Sequence, residues 1–287
     1  MISYIGGKYR MAKWIYEYIP QNIELYAEIF GGAFWTYLRS DIYKIPTLKE
    51  VHYNDFNRLM VNMFACCRTP EEFAEYFKDV VSQDEDLFKD FLATVMELEE
   101  KEEIQNIKLG DKDIGYKYPY LLTQVFSGVG LKPKTKMQDL KGKYVSKFEA
   151  FRKRLNDEET KLKLKKITDT HNLDFESATK KLDSETSFLY FDPPYYDTET
   201  YYSFHDFGRE DHLRLANVLK NMKGFWALSY YDFPELSEWF PKDKYVWVEK
   251  EFAKAASAKK GVKQNKGVEL LIMNYTLDEN NIPTKLN

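Results

Sequence analysis

The chain has 287 residues, 44% of them apolar and 31% charged, with a net charge of −4. That composition excludes wholesale disorder and a disulfide-stapled miniature, and it leaves room for one large domain or a core domain carrying an insertion. The only cysteines, Cys66 and Cys67, are adjacent, which rules out a disulfide framework and is poor spacing for zinc; no run of about 18 apolar residues and no signal-type start is present, so a cytoplasmic protein without a membrane span or a metal is expected.

In chain order, Lys8 to Tyr18 is patterned as a helix closed by Pro20, and Leu25 to Phe30 as a strand. A short strand over Val51 to Tyr53 and a helix from Arg58 to Cys66 follow. Between Thr69 and Lys166 the sequence offers helices, at Glu71 to Val81 and Glu85 to Glu103, and no convincing buried strand. Strand patterning resumes at Phe188 to Phe191, Phe225 to Ser229, Tyr245 to Val248 and Leu270 to Met273, with helices at Arg209 to Met222 and Pro234 to Phe240. Near-continuous apolar strands alternating with helices predict an α/β sheet with helices on both faces and a ligand crevice at the carboxyl ends of its strands. The expected organisation is a sheet domain made of 1–68 and 167–287, with 69–166 inserted as a mostly helical domain.

Charge is segregated inside the insertion. Glu71 to Glu103 carries thirteen acids and three lysines, whereas Lys132 to Lys166 carries thirteen basic residues and five acids. The basic stretch is either a footprint for a polyanion or a solvated face.

The chemistry is concentrated in Phe188-Leu189-Tyr190-Phe191-Asp192-Pro193-Pro194-Tyr195-Tyr196, an apolar strand ending in an acid, two prolines and two rings. Two prolines fix the exit from the strand and remove two backbone donors. The Asp192 carboxylate and the Pro193 carbonyl then make an acceptor pair for the two hydrogens of a planar aromatic amine, with Tyr195 stacking on its ring. Gly31-Gly32 after the first strand permits close backbone approach to a ligand, and Asp55 after the second can accept two ribose hydroxyls. Each also has a plainer reading, a tight turn for the glycines and a helix cap for Asp55.

These residues resemble the Dam-type DNA adenine-N6 methyltransferases, which use S-adenosylmethionine and carry an Asp-Pro-Pro-Tyr motif after the fourth strand. The resemblance runs nearly end to end. Tyr4-Ile5-Gly6-Gly7-Lys8 is similar to the family's entry motif at the methionine part of the cofactor. Glu28-Ile29-Phe30-Gly31-Gly32 resembles its glycine turn, Asn54-Asp55 its second-strand acid, Asn172-Leu173-Asp174-Phe175 its adenine-contacting segment, and Glu269 to Tyr275 its closing strand. The resemblance implies a Rossmann-like methyltransferase sheet in which Tyr4, Gly7, Lys8, Glu28, Phe30, Gly31, Gly32, Asp55, Asp174, Phe175 and Asp192 hold S-adenosylmethionine. It also implies that Asp192, Pro193, Pro194 and Tyr195 act on an adenine flipped out of a specific duplex DNA site, in the cytoplasm of a bacterial or phage-infected cell, by a monomer or weak dimer. One position departs: Phe34 stands where the family's last turn glycine is usual, and it either narrows the cofactor site or caps the next helix.

The place of the insertion, between the cofactor motifs and Asp192, resembles that of a target-recognition domain. Its run from Thr123 to Lys134 combines amide, hydroxyl, aromatic, glycine and lysine, so Gln124, Ser127, Lys132, Lys134 and Lys136 are expected at DNA, with Gln124 either a base reader or an ordinary surface residue. Lys259 and Lys260 form a second expected phosphate contact. Tyr201-Tyr202-Ser203-Phe204-His205 is either a lip over the flipped base or an ordinary loop. Two other readings stand beside this one: an inactive methyltransferase relic that binds DNA, and a methyltransferase acting on RNA.

Overall fold

A computed structural model describes residues 2, 7–125, 131–138, 147–196, 207–253 and 266–286. Seven strands form one sheet: β1 (Leu25–Glu28), β2 (Glu50–Asn54), β3 (Asp169–His171), β4 (Ser187–Phe191), β5 (Phe225–Tyr230), β6 (Val246–Ala253) and β7 (Lys266–Met273). Their order is β3-β2-β1-β4-β5-β7-β6. β1 to β5 are parallel, and β7 runs antiparallel between β5 and β6. A separate hairpin, β8 (Tyr275–Leu277) with β9 (Pro283–Lys285), follows.

Alternation along the central strands sends successive side chains to opposite faces. From β4, Phe188 and Tyr190 enter one hydrophobic cluster while Leu189 and Phe191 enter another, and β7 divides Leu271 and Met273 from Leu270 and Ile272 in the same way. The second cluster is covered by α9 (Phe175–Leu182), α10 (Arg209–Lys220) and the short α11 (Leu236–Trp239).

The other face carries α1 (Ala12–Tyr16), α2 (Trp35–Leu38) and α3 (Arg58–Cys67), followed, among the described residues of the segment expected to be an insertion, by α4 (Pro70–Tyr76), α5 (Glu85–Glu100), α6 (Lys112–Gln124), α7 (Lys147–Leu155) and α8 (Glu158–Lys165). The described residues of the insertion contain no strand. Phe73, Phe77, Phe91, Tyr120, Phe148 and Phe151 from this segment share one cluster with Tyr26, Tyr53 and Phe64 of the sheet side. The helical segment therefore has no separate core; it extends the core of one sheet face. Cys66 and Cys67 lie buried and free in α3, where burial pushes the Cys66 thiol up to about 12.

Several elements differ from the sequence pattern. β3 has no apolar signature because Asp-Thr-His is short and polar; it forms as an edge strand on β2, with His171 stacked on His52 at 5.2 Å between ring centres. The first helix covers only Ala12–Tyr16, since the chain leaves it in turns before Pro20, and the helix expected from Glu71 to Val81 spans Pro70–Tyr76. β6 is longer than its apolar run, because its charged half, Glu249 to Ala253, pairs in register with β7. No helix among the described residues is long and apolar enough to cross a membrane.

Candidate active site

The chain steps outward from β1 to β2 and β3, then returns to β4 on the other side of β1. In sheets of this kind the ligand crevice lies where connections leave in opposite directions, which in this strand order is at the carboxyl ends of β1 and β4. Gly31-Gly32 follows β1, Asp55 follows β2, Asp174 follows β3 and Asp192 follows β4, so the topology brings four of the sequence-predicted segments to one edge. Tyr4, Ser127, Lys259, Lys260 and the Tyr201 to His205 segment lie outside the described residues.

The glycine turn is built from its neighbours. Gly31 donates to the Asn54 carbonyl at 2.8 Å, and the Tyr53 hydroxyl donates to the Gly32 carbonyl at 2.8 Å. A Cβ on Gly31 would stand 2.3 Å from Cε2 of Tyr53 and 2.9 Å from the Asn54 carbonyl, so only glycine fits. Asp55 is buried and takes the Gly32 N–H at 2.7 Å and the Asn57 N–H at 2.8 Å. It is not the cap of α3. Asn57 is, accepting from the Leu59 and Met60 N–H groups. Burial pushes the Asp55 carboxyl up to about 6 against those N–H bonds. No cation pairs with it among the described residues, and a carboxylate with three backbone N–H partners, those of Gly32, Phe56 and Asn57, still keeps a lone pair for a hydroxyl donor.

Asn54, to which the sequence pattern assigns no role of its own, ties the loops together. Its amide donates to the Ile29 and Leu173 carbonyls at 2.8 and 3.1 Å and accepts from the Leu173 N–H at 3.1 Å. Asp174 caps α9 through the Glu176 N–H and is gripped by the Arg214 fork through two 2.8 Å bonds. Burial pushes this carboxyl up, but Arg214 and the N–H bonds outweigh it and hold it below its ordinary value. The same guanidinium lies 4.0 Å from the Phe175 ring centre. Phe30, Phe175 and Phe207 meet with centres 5.6 to 5.9 Å apart, an aromatic wall beside Asp174.

Phe34 neither caps through its side chain nor faces the crevice. Its φ of 56° is left-handed, which is why glycine suits this position. Its ring is fully buried, stacked on Tyr37 at 4.8 Å and edge-on to Tyr53 at 5.1 Å and Phe64 at 5.6 Å. A left-handed residue costs roughly 1–2 kcal/mol. Burying a phenylalanine ring returns about 1.5–3 kcal/mol, so core packing sustains the substitution.

At β4 the acid motif meets a cluster of charges. Asp192 Oδ1 is 2.7 Å from Lys8 Nζ, which also lies 3.3 Å from Glu269 Oε1 on β7 and 4.7 Å from the centre of the Tyr195 ring. The Tyr195 hydroxyl donates to Glu269. The ring stands edge-on to Tyr231 at 4.4 Å. The Pro193 carbonyl accepts no hydrogen bond from a described residue. Burial raises the Asp192 carboxyl to about 6, with Lys8 opposing and Glu269 adding to the rise. Glu28 forms the buried floor, bonded to the Tyr37 N–H at 2.7 Å and the Tyr26 hydroxyl at 3.0 Å, and burial raises its carboxyl to about 8. Its charged form is therefore disfavoured by burial, against the two hydrogen bonds it accepts.

Sequence reasoning assigns no site role to Glu269 or Arg214. For Glu269 the available signal is an acid inside Val268-Glu269-Leu270-Leu271-Ile272, because a buried carboxylate in an apolar strand requires partners. Gln124 differs from both of its readings: it is buried, and its Oε1 accepts from the Gln83 amide at 2.9 Å, so its side chain is neither on the surface nor free for a base edge. Lys132, Lys134 and Lys136 are exposed on a turn closed by two 2.8 Å bonds between Lys132 and Thr135.

A parallel sheet that reverses between β1 and β4, with an antiparallel β7 inserted beside β5, is a Rossmann-like methyltransferase fold. Residues 4–254 match the D12 class N6 adenine-specific DNA methyltransferase, and the chain belongs to that family. It is an adenine-specific DNA methyltransferase. A curated relative, the type II methyltransferase M.MjaIII of Methanocaldococcus jannaschii, is 27% identical over 305 aligned positions, covering 96% of this chain and 98% of the relative. Among solved structures, a precorrin 8W decarboxylase from Methanobacterium thermoautotrophicum aligns over 92% of this chain and 88% of that one at 11% identity, with a TM-score of 0.35, a likeness too remote to carry an argument.

The raised carboxyls set opposite pH trends for activity and stability. Asp192 should lose its charge as pH falls through about 6, so methyl transfer at saturating substrates is expected to decline on that acid limb. Glu28 is raised from 4.5 to about 8, so its contribution to stability is full below the unfolded value and is lost as pH rises through 8. Thermal unfolding from pH 6 to 9 should show a decline that Glu28→Gln flattens; parallel declines in both proteins would rule Glu28 out as its source.

Proposed function

We propose that the enzyme transfers a methyl group from S-adenosylmethionine to N6 of an adenine turned out of duplex DNA into the crevice between β1 and β4. The observation that carries this reading is the pairing, at the end of β4, of the Asp192 carboxylate with a Pro193 carbonyl that has no other donor among the described residues. S-adenosylmethionine supplies an electrophilic methyl on a sulfonium. The residues present suit it: the glycine turn for close approach, a buried Asp55, paired with no cation among the described residues, for the ribose hydroxyls, and the Phe30–Phe175 wall for an adenine ring.

The remaining work belongs to the chain. Asp192 and the Pro193 carbonyl accept the two N–H groups of the target amine, which draws its lone pair out of the ring and toward the methyl group. As the nitrogen becomes cationic, the fixed carboxylate stabilises it without solvent reorganisation. As the new N–C bond forms, the methyl's bond to sulfur breaks and leaves a neutral thioether; the cationic nitrogen then sheds one proton to water, so Asp192 serves as an ionised acceptor and no covalent enzyme intermediate is needed. Only 17% of the Asp192 side chain is exposed, so a base still stacked in a duplex cannot reach it, and extrusion costs a few kcal/mol.

Sequencing for N6-methyladenine in DNA from cells expressing the chain tests the activity, and transfer of radiolabel from S-adenosylmethionine tests the donor; unlabelled DNA would sink this reading. The exposed Lys132, Lys134 and Lys136 turn is the part of the insertion proposed to meet phosphates. Replacing all three with alanine should weaken binding to unrelated duplexes alike and reduce the slope of log K against log salt by up to about 0.9 for each phosphate that is no longer neutralised. An unchanged slope would make the turn a solvated face.

A further inference from the structure

Glu269 is 2% exposed, in the middle of an apolar strand, and its neighbours belong to the site. Its carboxylate holds the Tyr195 hydroxyl and stands 3.3 Å from the Lys8 ammonium. That ammonium is 2.7 Å from Asp192 and 4.7 Å from the centre of the Tyr195 ring. Lys8 therefore occupies the two places that the proposed function gives to the target adenine: the carboxylate that takes its amine and the ring on which it stacks. The adenine cannot enter until the ammonium leaves, and Glu269 is the second carboxylate already within ion-pair distance of it.

We propose that Glu269 is a positioning residue for methyl transfer, which fixes the Tyr195 ring through its hydroxyl and draws the Lys8 ammonium away from Asp192 as the target adenine enters. The inference rests on the adenine-N6 reading above. The movement required is short, since Lys8 already touches both acids and its four-carbon stem is flexible. Charge gives a second reason. With both carboxylates ionised, the group of Lys8, Asp192 and Glu269 carries one net negative charge, which stabilises the positive charge developing on the amine. With Glu269 neutral, Lys8 and Asp192 cancel. The adenine would then have to break a buried ion pair while Glu269 no longer draws the ammonium aside, and the cationic nitrogen would meet no net negative charge.

The test uses the full chain and a duplex with 2-aminopurine at the adenine position found methylated by sequencing, so that extrusion is read as a rise in fluorescence. Glu269→Gln keeps an acceptor for the Tyr195 hydroxyl and removes the charge. It is expected to raise the KM for DNA and reduce the fluorescence rise by about tenfold, the loss expected for one charge-assisted contact, with S-adenosylmethionine affinity and melting temperature close to wild type. Glu269→Asp, which keeps the charge, should recover most of the loss. In a Lys8→Met background the Glu269→Gln penalty should disappear, because there is no ammonium to move.

A wild-type KM and fluorescence rise in Glu269→Gln, or an equal penalty with and without Lys8, would overturn the proposal. Lys8→Met alone, read at an S-adenosylmethionine concentration shown by titration to saturate that variant, gives an independent reading wherever the Gln variant is unstable: extrusion should be at least as large as in wild type, and a smaller rise overturns the displacement. Absence of any rise with wild type would overturn base extrusion itself, and the role of Glu269 with it. A wild-type rise unchanged in the variant would remove Glu269 alone.

Discussion

Asp192→Ala is expected to cut methyl transfer by about a hundredfold or more at saturating cofactor while leaving the fold in place. The carboxylate is the charged member of the acceptor pair proposed at the end of β4, and loss of one preorganised group that stabilises transition-state charge typically costs that much in rate. Stability should not collapse with it. Lys8 retains Glu269 at 3.3 Å, so its buried ammonium is not stranded. Burial also holds the Asp192 carboxyl up at about 6, which means that ionising it costs the folded state stability at neutral pH. Single-turnover methylation with saturating cofactor and DNA measures the chemical step, and a melting curve checks the fold. Near-normal turnover in a folded variant would remove Asp192 from the mechanism.

Asp55→Ala should produce two separable losses. The carboxylate takes the part-buried Gly32 N–H at 2.7 Å and the buried Asn57 N–H at 2.8 Å, so its removal leaves both donors without that acceptor and loosens the turn on which the cofactor is proposed to lie. Each stranded donor costs about 1–3 kcal/mol, and loss of a charged acceptor for the ribose hydroxyls adds about 1.5–3 kcal/mol to cofactor binding alone. Calorimetric titration with S-adenosylmethionine should show the affinity loss, and thermal unfolding the loss of stability. If the melting temperature falls while affinity stays at the wild-type value, Asp55 braces the glycine turn and does nothing for the ribose. Asp55→Asn sharpens the comparison, since one carbonyl oxygen remains for the N–H groups while the charge is gone.

Sequence by itself determined the sheet. The runs at Leu25, Val51, Phe188, Phe225, Tyr245 and Leu270 are apolar because both faces of those strands are covered, and that pattern is local enough to read without coordinates. It also determined the acid, the two prolines and the tyrosine after β4, because an acid followed by two prolines at the end of a buried strand has few structural uses. β3 escaped, since three polar residues at a sheet edge are held by pairing with β2 and not by their own propensity. Tertiary structure alone decided which way Phe34 faces: its left-handed backbone turns the ring onto Tyr37, Tyr53 and Phe64, which come from two other elements and from the helix that follows it. It likewise decided that Gln124 is buried against Gln83, 41 positions away in the chain, and that α4 to α8 share a core with the sheet. The charge cluster of Lys8, Asp192 and Glu269 is the clearest case. Three residues spread over almost the whole chain carry no mutual periodicity, and only the placing of β7 beside β5, with Lys8 brought to the end of β4, puts one ammonium between two buried carboxylates.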